Sequence, residues 1–375
     1  MLSFEISTPQ MLALQKLYME VARQSDFMGG LEKEVRAVIA RYVFISNIGA
    51  STRIENAVLT NQEIEWLDDT LSKDGRPTAF EASRDFIENK ISKDKERSLE
   101  EVVGCRELLQ LIYREGSQLK PLTEATLREL HSILLQHYPK AEPYKGRYKI
   151  APNSVVSINR QTGEQKPVLK TADPGHQTKI AMQTLVDWYN RVIDQHPWTL
   201  AVACEFVFRF LAIHPFQDGN GRMSRSLFSM ILMQSPNVDL ARLTPYLSID
   251  RSIEEHKQEY YAVLRQCSGG YFHEDPQNYQ TNYLLNFMIK MVESAVKDIP
   301  LYHQKHLAHM SLSQTAQRTL LCFKDNPQSR LATGDLIKLL GMPRRTVIFN
   351  VNQLLKLRFL QRYGQGAGVH YQLIF

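Results

Sequence analysis

Apolar residues recur with a helical period along most of this chain. The spacing predicts helices over Met11 to Val21, Leu31 to Ile45 and Val102 to Tyr113, and a further helix over Thr123 to Leu135, where Leu127, Leu130, Ile133 and Leu134 share one face. Asp74-Gly75-Arg76-Pro77 reads as a turn between helical stretches. The pattern changes between Gly146 and Val168. There Val155-Val156-Ser157-Ile158, a Thr162-Gly163 turn and a return through Val168 read as a β-hairpin. Pro167 has no N–H to give to a ladder, so the hairpin is expected at an exposed edge. Helical periodicity resumes over Thr178 to Asp194. Trp198 to Ile213 follows as the most apolar helix, with only Thr199, Glu205 and Arg209 polar. A helix apolar nearly all round belongs at a domain centre. Glu205 and Arg209, four apart, are placed to pair on its one polar strip. Helices are further expected over Met223 to Met233, Ile253 to Arg265 and Tyr279 to Val296, and Pro300 with the His-rich stretch to His309 reads as a linker.

The last segment changes style. Thr315 to Phe323, Thr333 to Leu340 and Arg344 to Leu357 read as three short helices, with Gly341-Met342-Pro343 turning between the second and third. Phe359 to Tyr363, a Gly364-Gln365-Gly366-Ala367-Gly368 turn and Val369 to Leu373 then form a hairpin. Three helices followed by a β-wing is the winged-helix pattern. Val347, Ile348, Val351 and Leu354 in the third helix are expected to face the core, leaving Arg344, Arg345 and Lys356 for phosphate contacts.

Composition narrows the class. Hydrophobic residues make up 43% and charged residues 23% of 375 residues, enough for a real core and for two or three domains. Cys105, Cys204, Cys267 and Cys322 are far apart and form no CxxC pair, which suits buried, reduced thiols. No apolar run approaches a membrane span, and the first residues lack the basic start and apolar stretch of a signal peptide, so a cytoplasmic location is expected. The net charge is +5, yet the residues after Met310 carry nine Lys or Arg against two acids. The basic character therefore belongs to the C-terminal segment and points to nucleic acid as a partner there.

The densest chemistry lies at His214-Pro215-Phe216-Gln217-Asp218-Gly219-Asn220-Gly221-Arg222, with Arg225 three residues on. Gly219, Asn220 and Gly221 adopt positive φ at low cost, so their N–H groups are able to converge on an anion. The loop opens a helix, whose positive end also attracts an anion. Arg222 and Arg225 are able to face one side of that helix, and two guanidiniums above such a nest favour a polyphosphate. Asp218 is the loop's only carboxylate and suits Mg²⁺ beside phosphates. His214 ends the apolar helix and is placed to take a proton from an attacking hydroxyl.

His-Pro-Phe-x-Asp-Gly-Asn-Gly-Arg with Arg three residues later resembles the signature of the Fic family, and every fixed position matches. The resemblance covers roughly Leu111 to Val296 as the catalytic core. It implies a mainly α fold: a Fic-type helical core with a β-hairpin flap, and a C-terminal winged-helix domain as in the longer bacterial members. The expected domains are an N-terminal helical region (1–110), the core (111–300) and the winged helix (301–375). The implied activity is transfer of AMP from ATP to a Ser, Thr or Tyr hydroxyl of a protein. His214 would be the general base and Asp218 would hold Mg²⁺ bridging the α- and β-phosphates. Gly219, Asn220 and Gly221 would cradle phosphates with Arg222 completing the grip, and Arg225 would bind the γ-phosphate. The hairpin holding Val155, Val156, Ser157 and Ile158 occupies the place of the family's flap, which clamps the target segment by strand addition. Tyr260-Tyr261 with Leu264 resemble the Tyr-Tyr-x-x-Leu pattern near adenine. Where many relatives carry Asn a few residues later, this chain has Ser268-Gly269.

Ser51-Thr52-Arg53-Ile54-Glu55-Asn56 resembles the family's inhibitory motif. Three Glu-Gly or Glu-Asn dipeptides occur, at Glu55, Glu88 and Glu115, and only Glu55 has Ser or Thr four residues earlier, at Ser51. By the resemblance, Glu55 would pair with Arg225 and take the γ-phosphate's seat. The implied partners are thus ATP, Mg²⁺ and a protein substrate, the chain itself included. DNA is added through the winged helix, and a homodimer by analogy with other Fic proteins. Two rival readings accompany this one: a DNA-binding regulator whose core senses nucleotide, and removal of AMP or transfer of another phosphate-containing group.

Overall fold

The computed structural model describes residues 1–74, 79–91, 95–158, 165–325 and 329–374. It is mainly helical. The chain begins with α1 (Thr8–Gly29), α2 (Lys33–Ile54), α3 (Asn61–Asp74), α4 (Ala79–Lys90), α5 (Glu96–Glu115) and α6 (Glu124–Leu134). Strands β1 (Ser154–Ile158) and β2 (Gln165–Lys170) follow. Then come α7 (His176–Val192), α8 (Thr199–Ile213), α9 (Asn220–Met233), α10 (Val238–Leu243), α11 (Ile249–Glu255), α12 (Lys257–Ser268), α13 (Asn282–Met310) and α14 (Gln314–Lys324). The chain closes with β3 (Leu331–Ala332), α15 (Thr333–Leu340), α16 (Arg344–Lys356), β4 (Leu360–Tyr363) and β5 (His370–Leu373).

By packing the chain forms two compact units. Residues 1–57 and 97–299 make the first, residues 58–96 and 300–375 the second.

In the first unit local chemistry sets the helix starts. Ser7 and Gln10 form a reciprocal capping box at α1, with Pro9 in its first turn. Thr123 caps α6 by accepting from the Thr126 N–H at 3.0 Å. At the centre lies α8, in which every residue is buried, and α9 packs along it. The charge of α8 is matched internally, Arg209 Nη1 donating to Glu205 Oε1 at 3.3 Å. α2 packs on α11, with Ile45, Ile48, Ala50 and Ile54 buried along it. Gly104 of α5 lies so close to the Leu134 carbonyl that a Cβ there would collide with it. The hairpin is antiparallel, pairing Ser154 with Lys170 and Ile158 with Gln165, with a bulge between Val155 and Val156. Beyond Lys170 the outer edge of β2 is partly covered, the Phe272 N–H donating to the Lys170 carbonyl and the Lys170 N–H to the Gly270 carbonyl.

The second unit holds α3, α4 and the C-terminal elements. α14, α15 and α16 enclose a core that includes Leu320, Phe323, Leu336, Val347, Val351 and Leu354. Gly341, at φ 63°, ends α15 in the left-handed region that glycine adopts freely. The sheet order is β3-β5-β4, all antiparallel.

Several expectations need correction. Pro300 and the histidines to His309 lie inside α13 and form no linker. The helix expected over Ile253 to Arg265 is two helices, divided at His256. α9 begins at Asn220, a turn earlier than Met223. Ile348 is 40% exposed, and its neighbour Phe349 65%. The turns expected at Gly75-Arg76-Pro77 and Thr162-Gly163 lie outside the described residues. Among the described residues, no helix is long and apolar enough to cross a membrane. Cys105, Cys204 and Cys267 are buried, and Cys322 is half-buried.

Candidate active site

The loop between α8 and α9 is held from several sides. His214 leaves α8 in the left-handed region at φ 51°, with its N–H still donating to the Phe210 carbonyl at 2.8 Å. The Asn220 side chain staples the turn: its Oδ1 accepts from the Phe216 N–H at 3.0 Å and its Nδ2 donates to the Phe216 carbonyl at 2.7 Å. Gly219 caps α9 at φ 78°, and a Cβ there would lie 3.1 Å from Leu134 Cδ2. The left-handed backbone therefore favours glycine at 219, and a Cβ there would also press on Leu134.

His131 of α6 carries the other side. Its Nδ1 accepts from the Gly146 N–H at 2.9 Å, so its Nε2 carries the proton and donates to the Asp218 carbonyl at 3.0 Å. Its ring stacks on Phe216 at 3.8 Å between centroids and 4° between planes. Burial, opposed by the bond to Asp218, holds its pKa down at about 4, so the ring is neutral.

His214 is oriented by a backbone carbonyl. Its Nδ1 lies 3.3 Å from the Leu211 carbonyl, and a carbonyl only accepts. The proton therefore sits on Nδ1, leaving the lone pair on Nε2. Burial, and next the charge of Lys149, push its pKa down to about 4, so the imidazole is unprotonated at neutral pH.

The arginines differ. Arg222 is 2% exposed, and one Nη2 contact reaches Asp218 Oδ1 at 3.5 Å. Its Nε and Nη1 are buried with no hydrogen-bond partner among the described residues. Buried donors are rarely left unmade, because each costs about 1–3 kcal/mol, more when charged. Arg225 is held by the end of α2: Nε donates to Ser51 Oγ, and Nη2 to the Ser51 carbonyl and Glu55 Oε1, each at 2.9 Å. Glu55 also fills the space over Gly221, where a Cβ would collide with its carboxylate. Asn56 follows at φ 76°, a value that Gly and Asn adopt most readily, which gives the residue after Glu55 a physical reason. Arg53 forks onto Glu254 at 2.7 and 2.8 Å, and Lys257 Nζ donates to Asn56 Oδ1 at 3.1 Å, so the end of α2 is tied to α11 and α12. Asp250, buried nearby, has its pKa raised by desolvation to about 6 despite Arg225 and the Ser51 hydroxyl.

Asp218 is a third exposed at its side chain; its Oδ1 accepts from the Gly219 N–H at 2.6 Å and its Oδ2 lies 3.7 Å from Arg97 Nη2. Among the described residues no three His, Cys, Asp or Glu side chains gather as a metal cage. Mg²⁺ beside phosphates needs only one or two carboxylates, and Asp218 offers one.

These groups surround one cavity of ≈ 240 Å³. That is just below the roughly 300–1,000 Å³ usual for small-ligand sites, and Glu55 projects into it. Val155 and Val156 of β1 line one wall; Ser157 and Ile158 are the last residues of that strand, and their side chains lie outside the described set. Tyr260, Tyr261 and Leu264 of α12 line another. The Tyr260 ring is buried against Tyr261 and Phe287, at 5.6 and 5.9 Å, and burial raises its pKa to about 12. Thus His214, Asp218, Gly219, Asn220, Gly221, Arg222, Arg225, Tyr260, Glu55, Val155 and Val156 line one cavity, and Ser51 joins them through its bonds to Arg225. Sequence reading missed His131, Arg97, Lys149, Asn153 and Thr171, whose contacts span long separations and leave no periodic trace.

The Fic/DOC family model matches residues 121–232, which include β1, β2, α8, the loop and nearly all of α9. Solved structures agree. A Fic family protein from Desulfovibrio desulfuricans G20 aligns at 22% identity, with 100% of this chain and 98% of that chain covered and a TM-score of 0.55. A Fic domain containing signaling protein from Bacteroides thetaiotaomicron VPI-5482 aligns at 25% identity, with 78% and 96% covered and a TM-score of 0.55. Fic-1 from C. elegans aligns at 18% identity, with 80% and 76% covered and a TM-score of 0.54. The chain thus carries a domain that matches the Fic/DOC family model, in a Fic-type helical fold. The matched domain connects it with Fic-type transfer of a nucleotide-like group and with nucleotide and protein substrates.

Proposed function

We propose that this chain is a protein adenylyltransferase that uses ATP and Mg²⁺ and is restrained by Glu55. The observation that carries the reading is Arg222, a buried guanidinium whose Nε and Nη1 are unmatched among the described residues, beside the turn that Gly219 makes at positive φ. A phosphate would satisfy both, and a bidentate guanidinium–phosphate pair is among the stronger hydrogen-bonded contacts. Arg225 would take the terminal phosphate once Glu55 leaves it. Asp218 would hold Mg²⁺, which supplies charge to neutralise the phosphate oxygens.

The chain's own residues then account for the chemistry. β1 has β2 on one side only, and among the described residues its other edge makes no ladder. A target segment would add there as a strand, bringing its hydroxyl towards His214. His214 Nε2 would take the hydroxyl proton as the oxygen attacks the α-phosphorus. The bond from that phosphorus to the β-phosphate oxygen would break, and pyrophosphate would leave. Arg222, Arg225 and the loop N–H groups would stabilise the charge that develops. Calorimetric titration of ATP and Mg²⁺ into Glu55→Gly and into Glu55→Gly/Arg222→Ala tests the cradle. Binding to the first that is lost in the second supports it, and equal binding counts against it.

A second role is favoured by one feature of the C-terminal segment. Residues 314–373 read as a winged helix, and α16 presents Arg344, Arg345 and Lys356 on its exposed face. We propose duplex DNA as its partner. A gel shift at two salt concentrations tests this, since binding carried by phosphates weakens steeply with salt.

A further inference from the structure

We infer that Lys149 is a positioning residue of the transfer site, whose ammonium ties both feet of the β1–β2 hairpin to the backbone carbonyl immediately before His214. Lys149 is 2% exposed. Its Nζ donates to Asn153 Oδ1 at 2.8 Å, to Thr171 Oγ1 at 3.0 Å and to the Ile213 carbonyl at 3.0 Å. Three donors thus meet three acceptors, and the ammonium is saturated. Asn153 is the residue before β1 and Thr171 the residue after β2.

The partners are themselves cross-linked. Thr171 Oγ1 donates to the Asn153 carbonyl at 2.8 Å. Asn153 Nδ2 donates to the Phe216 carbonyl at 2.7 Å and reaches the His214 carbonyl at 3.3 Å. The Lys149 N–H donates to the Pro215 carbonyl at 2.8 Å. The hairpin's feet and the catalytic turn are therefore one hydrogen-bonded block, and Lys149 is its hub.

Stability does not explain this choice. All three acceptors are neutral, and a buried ammonium without a paired carboxylate is costly beside an apolar side chain of similar length. Burial accordingly lowers the Lys149 pKa to about 8. What the ammonium provides is three directed bonds to three separate segments. Each fixes one part of the relation between the strand that would receive the target and the ring that would accept its proton. Supporting groups of this kind typically alter function by about 10–100-fold when removed.

The inference rests on reading the loop as a transfer site, so its test has one readout that does not. In the full chain carrying Glu55→Gly, Lys149→Met is compared with its parent by amide hydrogen exchange and by steady-state self-modification. Exchange is expected to quicken in β1, β2 and residues 214–216, while α7 and α13 are unchanged. The kcat is expected to fall by about 10–100-fold with KM for ATP unchanged within about twofold. Thr171→Val, which removes one arm and keeps the side-chain shape, is expected to show the same pattern more weakly, and it serves if Lys149→Met does not fold. Hairpin exchange that stays as slow as in the parent overturns the inference, as does a uniform rise across the whole core or an unchanged kcat. If the parent itself transfers nothing, the transfer reading fails, and the exchange pattern alone decides whether Lys149 is the clamp.

Discussion

Arg225 Nη2 and Glu55 Oε1 lie 2.9 Å apart, although 170 residues separate them in the chain. The guanidinium also grips Ser51, one helical turn earlier on α2, through both its side chain and its carbonyl. Glu55 stands directly over Gly221, in the first turn of α9. A carboxylate so placed would compete with a phosphate for the same positive groups. Replacing Glu55 with Gly should therefore free the seat. Self-modification with ATP labelled at the α-phosphate is expected to rise by roughly 5–150-fold, the range of typical coupling energies. Unchanged labelling would remove Glu55 from any inhibitory role.

Arg222 should not tolerate even a conservative change. Its Nε and Nη1 are buried and unmatched among the described residues, in a fork that suits phosphate oxygens. Lysine offers a point charge without the fork. In the Glu55→Gly background, Arg222→Lys is expected to weaken ATP binding by roughly tenfold or more, as losing a charge-assisted hydrogen bond costs about 1.5–3 kcal/mol. Equal affinity by calorimetry would show that the fork is not the phosphate grip.

His131 makes the fold acid-sensitive. It is neutral in the folded chain, with a pKa lowered by burial from 6.5 to about 4, and both ring nitrogens are committed. The unfolded chain takes up this proton near pH 6.5, and the folded chain resists until about pH 4. The stability contributed by this lowered pKa is present above pH 6.5 and is lost as pH falls through that window, by about 1–3 kcal/mol. Denaturant midpoints measured from pH 7 to pH 4 should fall, and His131→Asn should start less stable yet show a shallower fall. Equal slopes in the two proteins would contradict this assignment.

His214 should set the pH dependence of transfer. Its pKa is pushed down to about 4, so the basic form persists well below neutrality. In the Glu55→Gly protein, kcat/KM is expected to hold steady from neutral pH to about pH 5 and to decline towards pH 4. A decline centred near 6.5 would mean that the ring is not desolvated as the structure places it.

The loop was legible because its groups are contiguous: a base, a carboxylate, a Gly-Asn-Gly turn and two arginines fall within twelve residues. α8 and the hairpin were legible because period and length disagree sharply between them. Other features were hidden for physical reasons. Pro300 and the following histidines look like a break, yet α13 runs through them, with Ile299 and Tyr302 buried on either side. His131 sits on an apolar helix face, where a lone histidine resembles core. Lys149 and Ile213 are separated by 64 residues, so nothing local in sequence marks the bond between them. Ile348 fits the apolar period of α16 but lies at the margin of its buried face, beside exposed Phe349. Polar contacts between distant segments are what a single sequence conceals.

The most direct measurement incubates the full chain with Mg²⁺ and ATP labelled at the α-phosphate, then locates the label by mass spectrometry. Glu55→Gly is expected to carry an AMP-mass adduct on a Ser, Thr or Tyr oxygen, and wild type much less. Glu55→Gly/His214→Ala should lose roughly 10²–10⁴-fold in rate, as expected when a general base is removed. An adduct that forms equally without His214, or no adduct on any of the three proteins, would contradict the account.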